Sequence, residues 1–276
     1  MYPHRIRLRG PWECDPIDGP PPRGLVLARS IEAARRGQLV HLDERGHVRS
    51  PARFRLLTAV GYAWSGGMAA LGTAFCAGAD LNWMRRMADY SYNENLADAG
   101  QLAKMLHTIA TCPKPTIAAV QGDVYAGGTG LVAACDIAVA VETAHFCVSE
   151  VKIGLIPATI SPYLVRAMGV RAAQRYWLTA ERFTATEAAA MGLVTEVVTA
   201  DSLQAKVDGF CKALCAASPS AIRLTKKLID AVVEKPITHE LIAHTVKEIA
   251  SVRSSREGKE GVNAFLQKRM PNWIGH

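Results

Sequence analysis

The chain has no Cys-x-x-Cys pair, no lysine before Lys104, and no apolar run that approaches the roughly 20 residues needed to cross a bilayer. Each absence removes a class of protein. The seven cysteines (Cys14, Cys76, Cys112, Cys135, Cys147, Cys211 and Cys215) sit mostly among apolar neighbours. They read as reduced core thiols of a cytoplasmic protein, with neither a zinc ribbon nor a disulfide framework. His41, His47, His239 and His244 lack carboxylate partners at ligand spacing, so no metal is expected. A net charge of +7 attracts anions, but without aromatic-basic interleaving or a recognition helix no nucleic-acid partner is expected. No membrane partner is expected either. The N-terminus is broken by Pro11, Pro16 and Pro20 to Pro22, which excludes a signal-peptide apolar core. Arg5, Arg7 and Arg9 precede the first acidic residue, as in a transit peptide, yet the same prolines disfavour the amphipathic helix such a peptide uses.

What is present is a 276-residue chain with 49% apolar residues, enough for one large domain or one domain with an appended subdomain. Two regimes meet near residue 70. Residues 1–70 carry eleven arginines against six acidic residues, a charge of 11 − 6 = +5, and hold half of the fourteen prolines. Periodicity there is scarce. This atypical segment reads as a disordered extension or as a GC-rich coding region translated in the wrong frame, the alternative being a divergent N-terminal domain. The remaining residues, at 21 − 19 = +2, are close to balanced.

Beyond residue 70 short apolar strands alternate with amphipathic helices, the pattern of an α/β chain with a parallel sheet. A core region over 71–200 and a C-terminal helical region over 201–276 are expected. A helix over 97–110 places Leu102, Met105, Leu106 and Ile109 on one face and is ended by Pro113 and Pro115. Residues 116–120, 137–141, 144–148 and 193–198 read as strands, and 128–135, 161–168 and 184–191 as helices. The last is capped by Gly192. Further helices are expected over 202–217, 219–232 and 239–254.

Two small-residue turns stand out, TAFCAGADL over 73–81 and QGDVYAGGTG over 121–130. Gly and Ala do not shield the backbone, so N–H groups in both turns can approach a ligand, and two such turns can form an oxyanion hole. The second opens a helix, whose N-terminus adds positive potential.

The segments FCAGADLNWM, KPTIAAVQG, YAGGTGLVAACDIAVA, SEVKIGLIPATISPYLVRAMG, LTAERFTATEAAAMGLVTEVV and EGVNAFLQKRMPNW occur in this order over 75–273. Together they resemble the enoyl-CoA hydratase/isomerase (crotonase) superfamily. The phrase ATISPY, 158–163, is similar to that of its bacterial methylglutaconyl-CoA hydratase-like members. The resemblance implies a crotonase-like spiral of ββα units and a C-terminal helical trimerisation region, giving a homotrimer or dimer of trimers. It implies a hydro-lyase acting on an acyl-CoA thioester, with coenzyme A part of the substrate and no further cofactor. Its substrate would be an α,β-unsaturated acyl-CoA such as 3-methylglutaconyl-CoA in leucine catabolism. The alternatives are a Δ3,Δ2-enoyl-CoA isomerase and a non-catalytic acyl-CoA-binding relative.

On matching positions the resemblance assigns the oxyanion donors to Ala79 and Gly127 and the acid/base carboxylate to Glu150. The family's other catalytic glutamate falls at Gly130, which cannot move a proton, so Glu150 would act alone. The space at Gly130 is expected to admit a branched, carboxylated acyl end. Ala77, Asp80, Leu81 and Tyr125 are further candidates for substrate contact, with Phe265 and Lys268 meeting coenzyme A near a neighbouring subunit. Other readings compete. Asp80 can instead cap a helix from Leu81, Asp123 and Tyr125 can serve the turn alone, and His145 reads as a core or edge histidine. Trp83, Met84 and Met87 read as core or acyl-pocket wall, Cys76 as no nucleophile for want of a base, and Lys226-Lys227 as a solvated basic face. The family's usual opening strand and Asn-Arg-Pro-like turn are not found in residues 1–70.

Overall fold

The computed structural model describes residues 53–58, 66–71 and 73–274, and most of the atypical N-terminal segment lies outside them. The chain opens with β1 (Arg53–Thr58), β2 (Gly66–Leu71) and β3 (Ala74–Cys76), then α1 (Leu81–Met87) and α2 (Tyr92–Ala110). Next come β4 (Thr116–Val120), β5 (Asp123–Tyr125) and α3 (Gly127–Ala134), and then β6 (Ile137–Val141), β7 (His145–Cys147), a 3-10 turn (Glu150–Ile153) and α4 (Ser161–Thr179). β8 (Phe183–Thr184), α5 (Ala185–Met191) and β9 (Glu196–Val198) complete the sheets, and α6 (Leu203–Ala216), α7 (Pro219–Val232), α8 (His239–Ser254) and α9 (Arg256–Leu266) close the chain.

Strand pairing sorts these elements into a spiral. The larger sheet has the order β1-β2-β4-β6-β9 and the smaller β3-β5-β7-β8. Each of the pairs β2/β3, β4/β5 and β6/β7 therefore sends its first strand to one sheet and its second to the other. A helix follows each pair and returns the chain to the next layer, which makes the repeat ββα. β2 joins β4 in parallel and β1 joins β2 antiparallel. The expected boundary at residue 70 thus falls inside β2, and the sheet begins before it.

Burial explains the strand composition. Every residue of β4 is buried, because one face meets the main core and the other, through Ile117 and Ala119, packs with Val139 and Val207 beneath α6. A strand covered on both sides reads as a continuous apolar run. The main core brings together Phe75, Val124 and Phe146 of the smaller sheet with Leu106, Ile160 and Leu164 from the helical segments, and Phe146 stacks on Phe183 at a centroid distance of 5.6 Å.

Several boundaries differ from the sequence expectation. α2 starts at Tyr92 rather than 97, because Ser91 and Glu94 form a capping box in which the Glu94 carboxylate accepts the Ser91 N–H at 2.8 Å. Of its expected inner face Leu106 is buried, but Met105 is exposed. The helix expected over 161–168 ends where Gly169, at φ 77° and ψ 162°, interrupts α4, which then resumes to Thr179. Strand 193–198 shortens to β9, and 144–148 to β7.

Candidate functional site

β3, β5 and β7 are adjacent and parallel, with Cys76 opposite Val124 and Tyr125 opposite Cys147. Their C-terminal ends point the same way. The residues that follow them are Ala77-Gly78-Ala79, Ala126-Gly127 and Val148-Ser149-Glu150. The topology therefore brings Ala79, Gly127 and Glu150 to one end of one sheet, although more than seventy positions separate the first from the last in sequence.

The first turn needs Gly78, whose φ of 102° is a left-handed conformation that side chains resist. A Cβ built there would stand 4.0 Å from Tyr125 Cβ, so this turn lies directly against the residue preceding the second turn. Ala79 and Ala77 are exposed. In the second turn Ala126 takes φ 48° and ψ −125°, held by its N–H donating to Cys147 O at 2.9 Å. Its carbonyl accepts the Thr129 N–H at 2.9 Å and the Thr129 hydroxyl at 2.7 Å. Gly127 then opens α3, so its N–H has no partner within the helix. Apart from its chain neighbours and the backbone of its own helix, no atom lies within 4 Å of a Cβ built on Gly127, so the turn is open on that side.

Glu150 does not end a strand but opens the 3-10 turn, with its backbone carbonyl accepting the Leu155 N–H at 3.1 Å. Its side chain is half-buried, and Oε2 is buried with no hydrogen-bond partner in the protein. Burial pushes the carboxyl above its ordinary pKa, offset in part by a hydrogen bond from its own backbone. A carboxyl so placed holds a proton more readily than one in water, which suits a group that must take up and return a proton.

Position 130 corrects an expectation. Gly130 is buried, and a Cβ there would fall 2.2 Å from Ile160 Cγ2 and 2.6 Å from Ile160 Cβ. Ile160, itself buried just before α4, fills the space that was expected to receive a branched acyl end. Nothing in the sequence pairs these two residues, which stand thirty positions apart with no shared periodicity.

Asp80 caps α1, its Oδ1 accepting the Trp83 N–H at 2.9 Å. Leu81 follows it on the surface, 67% exposed. Asp123 fastens neighbouring segments together. It accepts the His145 N–H at 2.9 Å and Arg182 Nη2 at 2.8 Å, and so ties β5 to β7 and to the residue before β8. Tyr125 is half-buried; its hydroxyl donates to Asp123 at 3.5 Å, and the Arg182 guanidinium lies 5.8 Å from its ring centre. His145 opens β7, an inner strand of the smaller sheet, and is half-buried, with Nδ1 standing 3.1 Å from the Thr143 carbonyl and 3.6 Å from Asp123 Oδ1. Trp83, Met84 and Met87 are half-buried rather than core, and Trp83 Nε1 donates to Asp98 at 3.2 Å to join α1 to α2.

The C-terminal candidates stand elsewhere. α9 packs on α7 and α8, leaving Phe265 82% exposed, and Lys268 follows the helix at φ 54°. Lys226 is not part of a solvated basic face. Its Nζ donates to Asp136 at 2.7 Å, and its side chain is only 13% exposed. Among the described residues no group of three or more His, Cys, Asp or Glu could hold a metal ion, and no helix is long and apolar enough to cross a membrane.

Comparisons with known proteins point to one family. A family model described as enoyl-CoA hydratase/isomerase matches residues 68–276. A Thermus thermophilus protein assigned as an enoyl-CoA hydratase is 37% identical over 202 residues, covering 73% of this chain and 79% of its own. An enoyl-CoA hydratase of Alternaria alternata, AKT6-1, is 33% identical over 72% of this chain, which spans 64% of that relative. Among solved structures, an enoyl-CoA hydratase from Shewanella pealeana superposes with a TM-score of 0.77 at 40% identity, covering 90% of this chain and 84% of its own.

Proposed function

The chain belongs to the enoyl-CoA hydratase/isomerase family, and from that premise we propose that it adds water to an α,β-unsaturated acyl-CoA thioester with Glu150 as the single acid/base. The observation that carries this reading is the convergence of the Ala79 and Gly127 turns with the half-buried Glu150 carboxyl at one end of three parallel strands. In the reaction the thioester oxygen accepts hydrogen bonds from the Ala79 and Gly127 N–H groups. Water bonds to the β-carbon as the Glu150 carboxylate takes its proton, and the π electrons move onto the thioester oxygen. The enolate then collapses, taking a proton from Glu150 at the α-carbon. Because negative charge develops on the oxygen only along the way, each donor lowers the barrier by about 3 kcal/mol. The α3 dipole acts at the same point.

For the acyl group we propose 3-methylglutaconyl-CoA, a branched substrate with its own carboxylate. The support is the resemblance of the ATISPY phrase, residues 158–163, not a vacated space at Gly130, which Ile160 fills. A second reading has its own observation. With an apolar wall at Gly130 and one carboxyl in the site, a single proton shuttled between the α- and γ-carbons would isomerise a 3-enoyl-CoA. Steady-state rates with 3-methylglutaconyl-CoA, crotonyl-CoA and a 3-enoyl-CoA separate these. We expect the highest kcat/KM for 3-methylglutaconyl-CoA. A preference for crotonyl-CoA would reject the substrate, and isomerisation without hydration would select the second reading.

A trimer belongs to the same proposal. Ile242, Val246 and Ile249 form an exposed apolar stripe on α8, and Phe265 and Leu266 extend apolar surface on α9. In such an assembly Phe265 and Lys268 would reach the coenzyme A portion bound by a neighbouring copy.

A further inference from the structure

Cys76 ends β3 with its side chain between the two small-residue turns. A Cβ built on Gly128 would lie 2.4 Å from Cys76 Cβ and 2.8 Å from its Sγ, so α3 can approach the side chain this closely only through a glycine. On the other side the thiol donates to the Gly78 carbonyl oxygen at 3.9 Å. That carbonyl shares a peptide unit with the Ala79 N–H. In a trans peptide the C=O and N–H point in opposite directions, so fixing one aims the other. At Gly78, where φ is 102°, no side chain of its own restricts rotation of this peptide plane.

We infer that Cys76 is a positioning residue: its thiol holds the Gly78–Ala79 peptide so that the Ala79 N–H points away from the sulfur and into the site, and its bulk sets the spacing to the Gly127 donor. The residue touches no substrate. Only a protonated thiol can donate. Burial pushes Cys76 upward from its ordinary pKa, with the backbone of Gly78 and Gly128 opposing in part, which keeps the thiol in its donating form. The inference rests on Ala79 and Gly127 being oxyanion donors, and its test has to separate the two claims.

The test is the infrared carbonyl stretch of butyryl-CoA, isotope-labelled at the thioester carbon, bound to wild type, Cys76→Ala and Cys76→Ser, with kcat and KM measured beside it. Butyryl-CoA cannot be hydrated, so the bound ground state is observed. In wild type the stretch shifts to lower frequency as two donors polarise the carbonyl. In Cys76→Ala part of that shift is lost, and kcat falls about five- to tenfold with KM unchanged, the loss expected for one misaimed hydrogen bond. Cys76→Ser, which keeps a donor on a shorter bond, recovers part of both. Should Cys76→Ala fail to fold, Cys76→Ser carries the test with a smaller loss of shift and rate. A wild-type shift that survives unchanged in the variants, or a change in KM alone, overturns the positioning role. A wild-type complex without any shift overturns the oxyanion reading and this inference together.

Discussion

Glu150 carries a buried oxygen with no protein partner, and that arrangement has a cost at neutral pH. A carboxyl whose pKa is higher in the folded than in the unfolded chain binds more protons when folded. Stability is therefore fully retained below the unfolded value and falls as pH rises through the raised one. Glu150→Gln removes this loss, so the variant should melt above wild type at neutral pH, with the gap closing as pH is lowered below the ordinary glutamate range. Thermal unfolding followed by circular dichroism across pH checks it. Ala126 is strained in a different way, since its φ of 48° lies in the positive region that a residue with a Cβ resists. Ala126→Gly should stabilise the chain by about 1–2 kcal/mol in chemical denaturation, because glycine adopts this conformation freely. An unchanged midpoint would show that the turn relaxes around alanine at no cost.

Between elements the decisive contact is α3 against the start of α4, where Gly130 meets Ile160. Gly130→Ala should destabilise by about 1–3 kcal/mol through overpacking, and Ile160→Ala in the same chain should recover part of that loss. Two independent, additive losses would show that the residues do not share one space. The sequence reveals this region unevenly. β4 and β6 are legible because nearly every residue is apolar, and the break in α4 is legible because Gly169 follows a helical pattern. The two donor turns are legible from their small residues, and Glu150 from the order of motifs around it. Ile160 is not, because its partner is thirty residues away and packing between elements leaves no local pattern. The start of α2 at a capping box and the shortness of β7 and β9 likewise depend on hydrogen bonds and pairing that composition does not encode. Lys226 looks like surface charge until the fold sets Asp136 beside it.

For the whole molecule, the exposed apolar stripes of α8 and α9 predict self-association. Val246→Asp together with Ile249→Asp should convert a trimer or hexamer to monomer in light scattering. It should also weaken coenzyme A binding, if Phe265 and Lys268 serve a neighbouring copy. A monomeric wild type that binds acyl-CoA normally would remove that assignment. The spiral's larger consequence is that three consecutive ββ units deliver two backbone donors and one carboxyl to a single end of the small sheet. Turnover of an enoyl-CoA by wild type and Glu150→Gln, with acyl-CoA affinity measured on the same samples, tests this most directly. The account predicts that wild type hydrates the thioester and that the variant loses about 10²- to 10⁴-fold in kcat while binding acyl-CoA as tightly. A variant that turns over at the wild-type rate, or a wild type that binds acyl-CoA without hydrating or isomerising it, would contradict it.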